Sequence, residues 1–219
     1  MDNKNMTDMI QPSKEYEIEK VAPNTSWGYL FFKRLFDIVV SFLAGVILIP
    51  FFLVIVLLIK IDSPGKAIYR QERLGKNGKQ FHVLKFRTMH ADAEVDGPRW
   101  ADKDDERCTK IGKKLRKYHI DELPQLWNVF VGDMSFVGPR PERPYFYQEF
   151  ETYIHGFSNR LAVKPGLTGL AQLRGGYDLL PEEKIIHDME YIQKSSLRLD
   201  LKLFFSTFIV VLRNGREER

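Results

Sequence analysis

Two adjacent carboxylates, Asp121 and Glu122, have the strongest potential for chemistry in this sequence. Cations flank them on both sides, because residues 113–117 contain four Lys or Arg and Arg140 follows downstream. A carboxylate among cations at the start of a helix can act as the nucleophile of phosphoryl transfer, since amides and cations hold the phosphate oxygens while charge shifts. The structural alternative is that the two acids complement the helix dipole.

Two further groups of cations could hold a phosphate. Lys85 and Arg87 are two residues apart in a strand-like segment, which predicts that both side chains point to one face. Arg140 lies between Pro139 and Pro141, which restrict the backbone and therefore the direction of the guanidinium. Lysine binds phosphate as a point charge, whereas arginine can bind two oxygens at once. The structural alternatives are a solvated strand face and an ordinary surface arginine in a turn.

The composition argues against several other functions. The five histidines are scattered without the spacing of metal ligands, and no Rossmann or Walker glycine pattern occurs. Cys108 is the only cysteine, so the chain forms no internal disulfide, and the thiol has no recognisable base partner. The formal net charge of +4 suits nucleic acid, anionic lipid or phosphorylated substrates. Basic residues are not interleaved with aromatic residues as in nucleic-acid modules, so we expect no nucleic-acid partner.

One long apolar run, Leu35 to Ile59, contains 25 residues and a single charge, Asp37. As a helix it would be about 37 Å long, enough to cross a hydrocarbon core of about 30 Å. Pro50 lies inside the run, where it removes a helix hydrogen bond and favours a break. Basic residues flank both ends, which suits a segment that enters and leaves by the cytoplasmic face. The residues alone leave a single transmembrane helix and a re-entrant helix–break–helix as alternatives.

The remainder has the mixed pattern of an α+β domain. Ala67–Met89 predicts a β-hairpin, with Asn77-Gly78 as a strong turn signal. Asp121 is a good N-cap for a following helix that has an apolar face. The other segments predict a loop at Ala91–Asp105, a helix at Cys108–Tyr118, a loop at Gly132–Pro144, turns at Pro165-Gly166 and Thr168-Gly169, a helix at Pro181–Lys194 and a short interfacial or core helix at Leu199–Leu212.

A length of 219 residues allows one domain with appendages. Met1–Ser26 is polar and carries five acids, which predicts a disordered or loosely attached tail and not a secretory signal. We therefore divide the chain into a polar tail at 1–32, a membrane segment at 33–60 and a catalytic domain at 61–219 with C-terminal amphipathic helices.

At these residues the sequence resembles the bacterial sugar transferase family, the monotopic polyprenyl-phosphate phosphoglycosyl transferases. The resemblance covers Lys33 to about Leu212, and the block from Asp121 to Glu142 is its most specific part. The motifs, in the family's order, are KRLFDI at 33–38, the apolar run with Pro50, RQERLGKNGKQFHVLKFRTM at 70–89, DELPQLWNVFVGDMSFVGPRPE at 121–142, KPGLTGLAQ at 164–172, and a helix carrying Asp188 and Tyr191.

The resemblance implies roles for individual residues. Asp121 matches the family's nucleophile, and Glu122 matches its partner in a catalytic dyad. The residues expected to bind substrate phosphates are Lys85 with its strand neighbour Arg87, the arginines Arg116 and Arg140, and a functional aspartate, Asp188. The family's metal is Mg²⁺, which we expect at Asp121. The apolar run of the family is re-entrant and breaks at a proline, which here is Pro50, although Ile49 replaces the serine that precedes it in some members.

The reaction that the resemblance implies transfers a hexose-1-phosphate from a UDP-sugar to polyprenyl (undecaprenyl) phosphate. It proceeds through an aspartyl-phosphosugar on Asp121 and releases UMP, as the first membrane step in the synthesis of exopolysaccharide, capsule, O-antigen or glycoprotein glycan. We expect the chain on the cytoplasmic face of the bacterial inner membrane, in contact with membrane lipid, and compatible with a homodimer. The alternatives are a single-span membrane enzyme of related chemistry and a non-catalytic lipid-binding adaptor; the carboxylate pair and Arg140 argue against the adaptor.

Overall fold

The computed structural model describes residues 15–90, 92–93, 95, 105–175 and 179–214. Helices and short strands are mixed along the chain, which confirms the predicted α+β class. The helices are α1 (Trp27–Asp62), α2 (Lys110–Lys117), α3 (Gln125–Val131), α4 (Pro144–Glu151), α5 (Leu170–Gly175), α6 (Pro181–Lys194) and α7 (Leu197–Asn214). The strands are β1 (Tyr16–Glu17), β2 (Ile68–Leu74), β3 (Gln80–Phe86), β4 (Ser135–Val137), β5 (Ile154–His155) and β6 (Gly166–Thr168).

The predicted hairpin is confirmed and is the longest pairing of strands in the described residues. β2 and β3 are antiparallel, with a register that runs from Ile68 opposite Phe86 to Leu74 opposite Gln80. Asn77 and Gly78 both have positive φ, 57° and 75°, which Asn and Gly tolerate better than other residues and which the turn signal predicted. The hairpin thus presents one face of β3 to the core and carries Lys85 near its far end.

The main core lies where β3, α3, β4, α4 and α6 meet. Its most buried side chains are apolar and come from segments far apart in sequence, for example Val83, Val129, Ile154 and Ile192. Burial of this apolar surface is the dominant favourable contribution to folding. A smaller cluster, which includes Ile59, packs beneath the hairpin and α2. The two clusters fix β3 relative to α3, and these two elements carry or adjoin the predicted carboxylate and lysine.

Helix α1 is continuous from Trp27 to Asp62 and contains Pro50 in its interior. The predicted helix–break–helix at Pro50 is therefore not confirmed, although proline still leaves one helix carbonyl without its usual N–H donor. By length and composition α1 could cross a membrane, since its most apolar window has a mean hydropathy of 3.2. Its inward stripe recurs every three or four residues and packs on the core clusters: Phe36, Val40, Ala44, Leu48, Phe52, Ile55 and Ile59.

Both ends of α1 contact the same domain. Near its start, Asp37 accepts hydrogen bonds from Ser135 Oγ at 3.1 Å and from the Phe136 amide at 3.0 Å. Near its end, Ile59 is buried with Phe86 of the hairpin. The inward stripe shows that α1 lies along the domain over its length and does not project away from it.

The N-terminal tail differs from the prediction. β1 pairs in parallel with β5, and the amides of Tyr16 and Ile18 donate to the carbonyls of Tyr153 and His155. Residues 16–18 are thus attached to the domain through backbone pairing, which a polar composition does not reveal, and the helix begins at Trp27 inside the predicted tail. Residues 1–14 lie outside the described residues.

Several helices and loops have the boundaries that the sequence predicted, and others differ. The helices predicted at Cys108–Tyr118 and Pro181–Lys194 are confirmed as α2 and α6, and the C-terminal helix is longer than predicted. The segment 132–144 is not all loop, because β4 pairs in parallel with β6 of the turn-rich segment. Three-residue strands carry too little alternation to be recognised in a sequence rich in Gly and Pro. The loop predicted at 91–105 lies largely outside the described residues.

Candidate active site

A tight turn between α2 and α3 presents the two adjacent carboxylates. His119 has a left-handed backbone with φ of 54°, and Ile120–Glu122 form a single 3₁₀ turn. The Glu122 amide donates to the His119 carbonyl at 3.3 Å. The prediction that Asp121 is a helix N-cap is wrong, since α3 begins only at Gln125, with Pro124 as its N-cap. The turn buries both carboxylates, and this burial sets their chemistry.

Glu122 is held by two cations. Lys85 Nζ donates to Glu122 Oε1 at 2.9 Å, and Arg140 forms a two-pronged contact, with Nη1 at 3.2 Å from Oε2 and Nη2 on Oε1. Burial alone would raise the pKa of Glu122, but Arg140 and Lys85 outweigh burial and hold that pKa well below its ordinary value. Glu122 is therefore a fixed anion that orients Lys85 and Arg140.

Asp121 has the opposite environment. No hydrogen bond or ion pair holds its carboxylate within the part of the chain that the structure describes. Burial and the neighbouring charge of Glu122 raise the pKa of Asp121 to about 6, although Lys85, Arg116 and Arg140 lower it. A buried carboxylate that lacks a partner yet remains mostly ionised at pH 7 is available to attack an electrophile.

Arg116 lies at the end of α2 and approaches the pair from a third side. It lowers the pKa of Asp121 through its charge, and its Nη1 donates to Cys108 Sγ at 2.9 Å. The buried cysteine, which showed no recognisable partner in the sequence, thus orients this guanidinium. The structure therefore brings Asp121, Glu122, Lys85, Arg116 and Arg140 together, as the sequence predicted.

The loop that carries Arg140 is fixed by its carbonyl groups. Gly138–Glu142 contains two prolines, which lack N–H donors, so the loop depends on donors from elsewhere. Successive carbonyls accept from different elements: Pro139 from the Gly166 amide at 2.9 Å, Arg140 from Arg160 at 2.9 Å, Pro141 from Arg73 at 2.8 Å and Glu142 from the Leu74 amide at 3.2 Å. Anchoring on four sides fixes the direction of the Arg140 side chain.

Asp188 is not among the groups that line the carboxylate pair. Its Oδ2 lies 2.5 Å from Arg160 Nη2, and both side chains are only 1% exposed. Burial raises the pKa of Asp188 to about 6, while the charge of Arg160 lowers it. The prediction that Asp188 binds substrate phosphate stays a prediction, and in this structure the carboxylate is buried against Arg160 and away from the carboxylate pair. Through Arg160 it instead supports the Arg140 carbonyl.

Arg87 is also separated from the site. Its Nη2 donates to the Ser63 carbonyl at 2.6 Å and to Ser63 Oγ at 2.7 Å, and its Nη1 donates to the Pro64 carbonyl at 2.9 Å. Lys85 binds Glu122 instead, so the two cations do not meet at the carboxylate pair, although the Arg87 amide continues the strand pairing with the Ala67 carbonyl at 2.8 Å. Arg87 binds carbonyls at the C-terminus of α1, where a cation complements the helix dipole.

Sequence reasoning missed three residues around the site. Burial lowers the pKa of His119. The charge of Glu122 raises that pKa, and the charges of Arg140 and Lys85 lower it. Its position two residues before Asp121 was the available signal. Arg73 pairs with Glu142, and Arg160 pairs with Asp188. Both are pairs of distant residues, so a single sequence offered no signal for them.

The donors present fit a magnesium ion held by one carboxylate. Among the described residues, no three His, Cys, Asp or Glu side chains converge as a metal cage. Mg²⁺ is commonly bound by one or two carboxylates together with substrate phosphates. Asp121 can supply such an oxygen because its carboxylate lacks a protein partner, whereas the oxygens of Glu122 are occupied by Lys85 and Arg140.

The α+β fold with a buried carboxylate pair among cations defines a site suited to a phosphorylated substrate. The family model described as bacterial sugar transferase matches residues 28–214, which is most of the chain. The chain belongs to the bacterial sugar transferase family.

Relatives in bacteria support this membership. The chain is 41% identical over 84% of its length to the UDP-N-acetylgalactosamine-undecaprenyl-phosphate N-acetylgalactosaminephosphotransferase of Aeromonas hydrophila, and spans 44% of that protein. It is 44% identical over 80% of its length to the UDP-glucose:undecaprenyl-phosphate glucose-1-phosphate transferase of Caulobacter vibrioides, spanning 67% of it. It is 41% identical over 85% of its length to exopolysaccharide production protein PSS of Rhizobium leguminosarum, spanning 98% of it.

Proposed function

We propose that this chain transfers a sugar-1-phosphate from a UDP-sugar to a polyprenyl phosphate, through a covalent intermediate on Asp121. The observation that supports the proposal is that the two carboxylates, Asp121 and Glu122, have different environments. Glu122 is neutralised by Lys85 and Arg140, whereas Asp121 is buried among the same cations without a partner. The names of the Aeromonas and Caulobacter relatives describe transfers of this kind to undecaprenyl phosphate.

In the first step, an oxygen of Asp121 attacks the phosphorus that bears the sugar. A new bond forms between that oxygen and phosphorus, and the bond from phosphorus to the bridging oxygen of the diphosphate breaks, so UMP leaves with the electron pair. Lys85, Arg116 and Arg140 stabilise the charge that develops on the phosphate oxygens. Their direction is already fixed by Glu122, Cys108 and the anchored loop, so little reorganisation is needed at the moment of reaction.

In the second step, a phosphate oxygen of the polyprenyl phosphate attacks the same phosphorus. The bond from phosphorus to the Asp121 oxygen breaks, and the carboxylate is restored with its electron pair. The product is a polyprenyl-diphosphate sugar. Mg²⁺, when bound at Asp121 and the substrate phosphates, would offset phosphate charge. Glu122 stays ionised during both steps and keeps Lys85 and Arg140 at the reacting phosphorus.

The first test is a burst of UMP in the absence of lipid acceptor. With a panel of UDP-sugars, we expect at most one equivalent of UMP per active site and a protein heavier by one sugar-phosphate, with the added mass on the peptide that contains Asp121. Asp121→Asn should give neither the burst nor the adduct. Asp121→Glu should be nearly inactive as well, since a displacement of roughly 1 Å can cost about 10²-fold. An adduct on Glu122, or no burst and intersecting initial-velocity lines, would refute the covalent role of Asp121.

The same proposal places the domain on the membrane by a re-entrant α1. The outward side of α1 is apolar and exposed, and α3 and α7 expose further large apolar side chains, including Trp127 and Phe205. Exposed apolar patches of this extent mark membrane or partner surfaces. Both ends of α1 contact the catalytic domain, which favours entry and exit by one face, and basic flanks favour the cytoplasmic face.

Cysteine labelling in sealed vesicles tests this topology. In a Cys108→Ser background, Ser26→Cys and Lys66→Cys mark the two flanks of α1. We expect both thiols to react from the cytoplasmic side only. Reaction from opposite faces would instead support the single-span alternative. Absence of UMP release with every nucleotide-sugar, in protein whose topology is correct, would favour the adaptor.

A further inference from the structure

A second cluster of cations lies at the other end of the hairpin. A cavity of about 210 Å³ is lined by Gly75, Lys76, Lys79, Phe81, Gly132, Asp133 and Lys164. It contains three ammonium groups and one carboxylate. The active-site lysine is five residues along β3 from Gln80, which is about 17 Å at strand spacing. The cavity is therefore separate from the catalytic dyad.

Two cations, Arg34 and Lys164, lie close to Gly132 at the rim of this cavity. This glycine has a φ of 94°, and a Cβ at this position would lie 3.1 Å from Arg34 Nη2 and 3.2 Å from Lys164 Nζ. Arg34 is already engaged, because its two terminal nitrogens donate to the Val129 and Phe130 carbonyls at 2.7 Å each. Lys164 has no hydrogen bond or ion pair with any other residue that the structure describes.

The surroundings of Lys164 compensate its charge only in part. Burial lowers the pKa of Lys164, and the neighbouring charges of Arg34 and Lys76 lower it further, while the charges of Asp37 and Asp133 raise it. A partly buried ammonium beside other cations is unfavourable unless an anion joins them. The geometry of the cavity and the surplus of positive charge both fit a phosphate group.

We propose that this cavity binds the phosphate of an anionic phospholipid headgroup. The apolar surface leads directly to it: Trp127 and Val131 of α3 are exposed, and Gly132 follows Val131 at the rim. On the other side, Arg34 precedes the exposed Leu35 of α1. Basic pockets beside membrane helices on the cytoplasmic side bind acidic headgroups in this way. The proposal rests on the membrane location in the proposed function but not on its chemistry.

The test uses the full chain in mixed micelles of a neutral detergent. Binding of dihexanoyl phosphatidylglycerol is measured by thermophoresis, with dihexanoyl phosphatidylcholine and inorganic phosphate in parallel. We expect saturable binding of phosphatidylglycerol at least about tenfold tighter than of either alternative. Equal affinity for phosphatidylcholine would overturn the proposal. Equal affinity for inorganic phosphate would overturn the assignment to lipid, because it would point to a soluble anion.

Variants separate this cavity from general surface charge. Lys76→Gln, Lys79→Gln and Lys164→Gln together should weaken phosphatidylglycerol binding about tenfold or more. The matched control neutralises three exposed lysines elsewhere, Lys66, Lys113 and Lys114, and should change binding less than about twofold. A similar loss in both triple variants would overturn the proposal.

Asp133→Asn tests the cavity through an expected gain in binding, which a misfolded protein would not show. Removal of the one carboxylate that lines the cavity should tighten phosphatidylglycerol binding by about two- to fivefold. Unchanged or weaker binding would contradict the assignment. UMP release by the triple lysine variant in micelles free of acidic phospholipid should match that of the unmodified chain. If the unmodified chain itself releases no UMP, the proposed function is refuted. The lipid-binding proposal is then still decided by the binding measurements alone.

Discussion

Replacement of Asp121 by asparagine should abolish turnover and at the same time stabilise the folded protein. Burial and the charge of Glu122 raise the pKa of Asp121 from its ordinary 3.8 to about 6. A carboxyl whose pKa is higher in the folded than in the unfolded chain binds its proton more tightly when folded, so ionisation lowers the free energy of unfolding. At 1.36 kcal/mol per pH unit, the ionised Asp121 costs roughly 3 kcal/mol.

Because ionisation of Asp121 lowers the free energy of unfolding, the stability gained by the asparagine variant depends on pH. The cost is complete above pH 6, where the folded carboxyl is ionised, and it diminishes as the pH falls towards 3.8. The substituted asparagine side chain carries no charge at any pH, so the variant should be more stable by roughly 3 kcal/mol at pH 8 and by about half of that at pH 5. For a chain of this length, such a gain at pH 8 raises Tm by about 6–12 °C.

Thermal melts in neutral detergent, followed by tryptophan fluorescence at both pH values, measure this difference. The matched control is Glu122→Gln, for which we expect the opposite result. Removal of that carboxylate leaves Lys85 and Arg140 without their partner, and breaking a buried ion pair costs about 3–5 kcal/mol. A lower Tm for Asp121→Asn at pH 8, or a gain that is equal at pH 5 and pH 8, would refute the reasoning.

Three further predictions concern activity and the support of the site. Arg140→Lys should lose tenfold or more in kcat/KM for UMP release, about 1.4 kcal/mol, because lysine lacks the two-pronged fork; an unchanged value would mean that the fork is not used. Arg160→Gln should cost about 3–5 kcal/mol in chemical denaturation because Asp188 stays buried without its cation, whereas Arg174→Gln, in the more exposed pair with Glu190, should cost less than about 1 kcal/mol. The kcat/KM should fall about tenfold between pH 7 and pH 5 as Asp121 becomes protonated; a flat profile would contradict an ionised nucleophile.

The central residues of the site could be predicted from the sequence because they are defined by local features. Asp121 and Glu122 are adjacent, and the prolines beside Arg140 restrict the chain whatever surrounds it. The hairpin turn was recognisable because Asn77 and Gly78 adopt the positive φ that their residue types favour. The sequence did not predict that Lys85 and Arg140 both bind Glu122, because neither composition nor periodicity brings these residues together.

The supporting residues escaped prediction because their partners are distant in sequence. Arg73 binds Glu142 across 69 positions, and Arg160 supports the Arg140 carbonyl from a different element. Arg87 was misplaced for a different reason. Its spacing from Lys85 predicts that both cations lie at the site, but the Arg87 guanidinium binds the Ser63 and Pro64 carbonyls instead. The carbonyls at the end of α1 then determine its direction, and their position depends on tertiary packing.

The difference between the two adjacent acids follows from where their cations are anchored. Lys85 comes from β3 and Arg140 from a loop fixed on four sides, so neither can follow a carboxylate that moves. Both converge on Glu122, which neutralises its charge in a buried position. Asp121 shares the same positive surroundings but not the hydrogen bonds, so its charge is tolerated without being neutralised. A phosphate brought to Asp121 would meet cations that are already held in place, and for this reason we propose attack by Asp121 and positioning by Glu122.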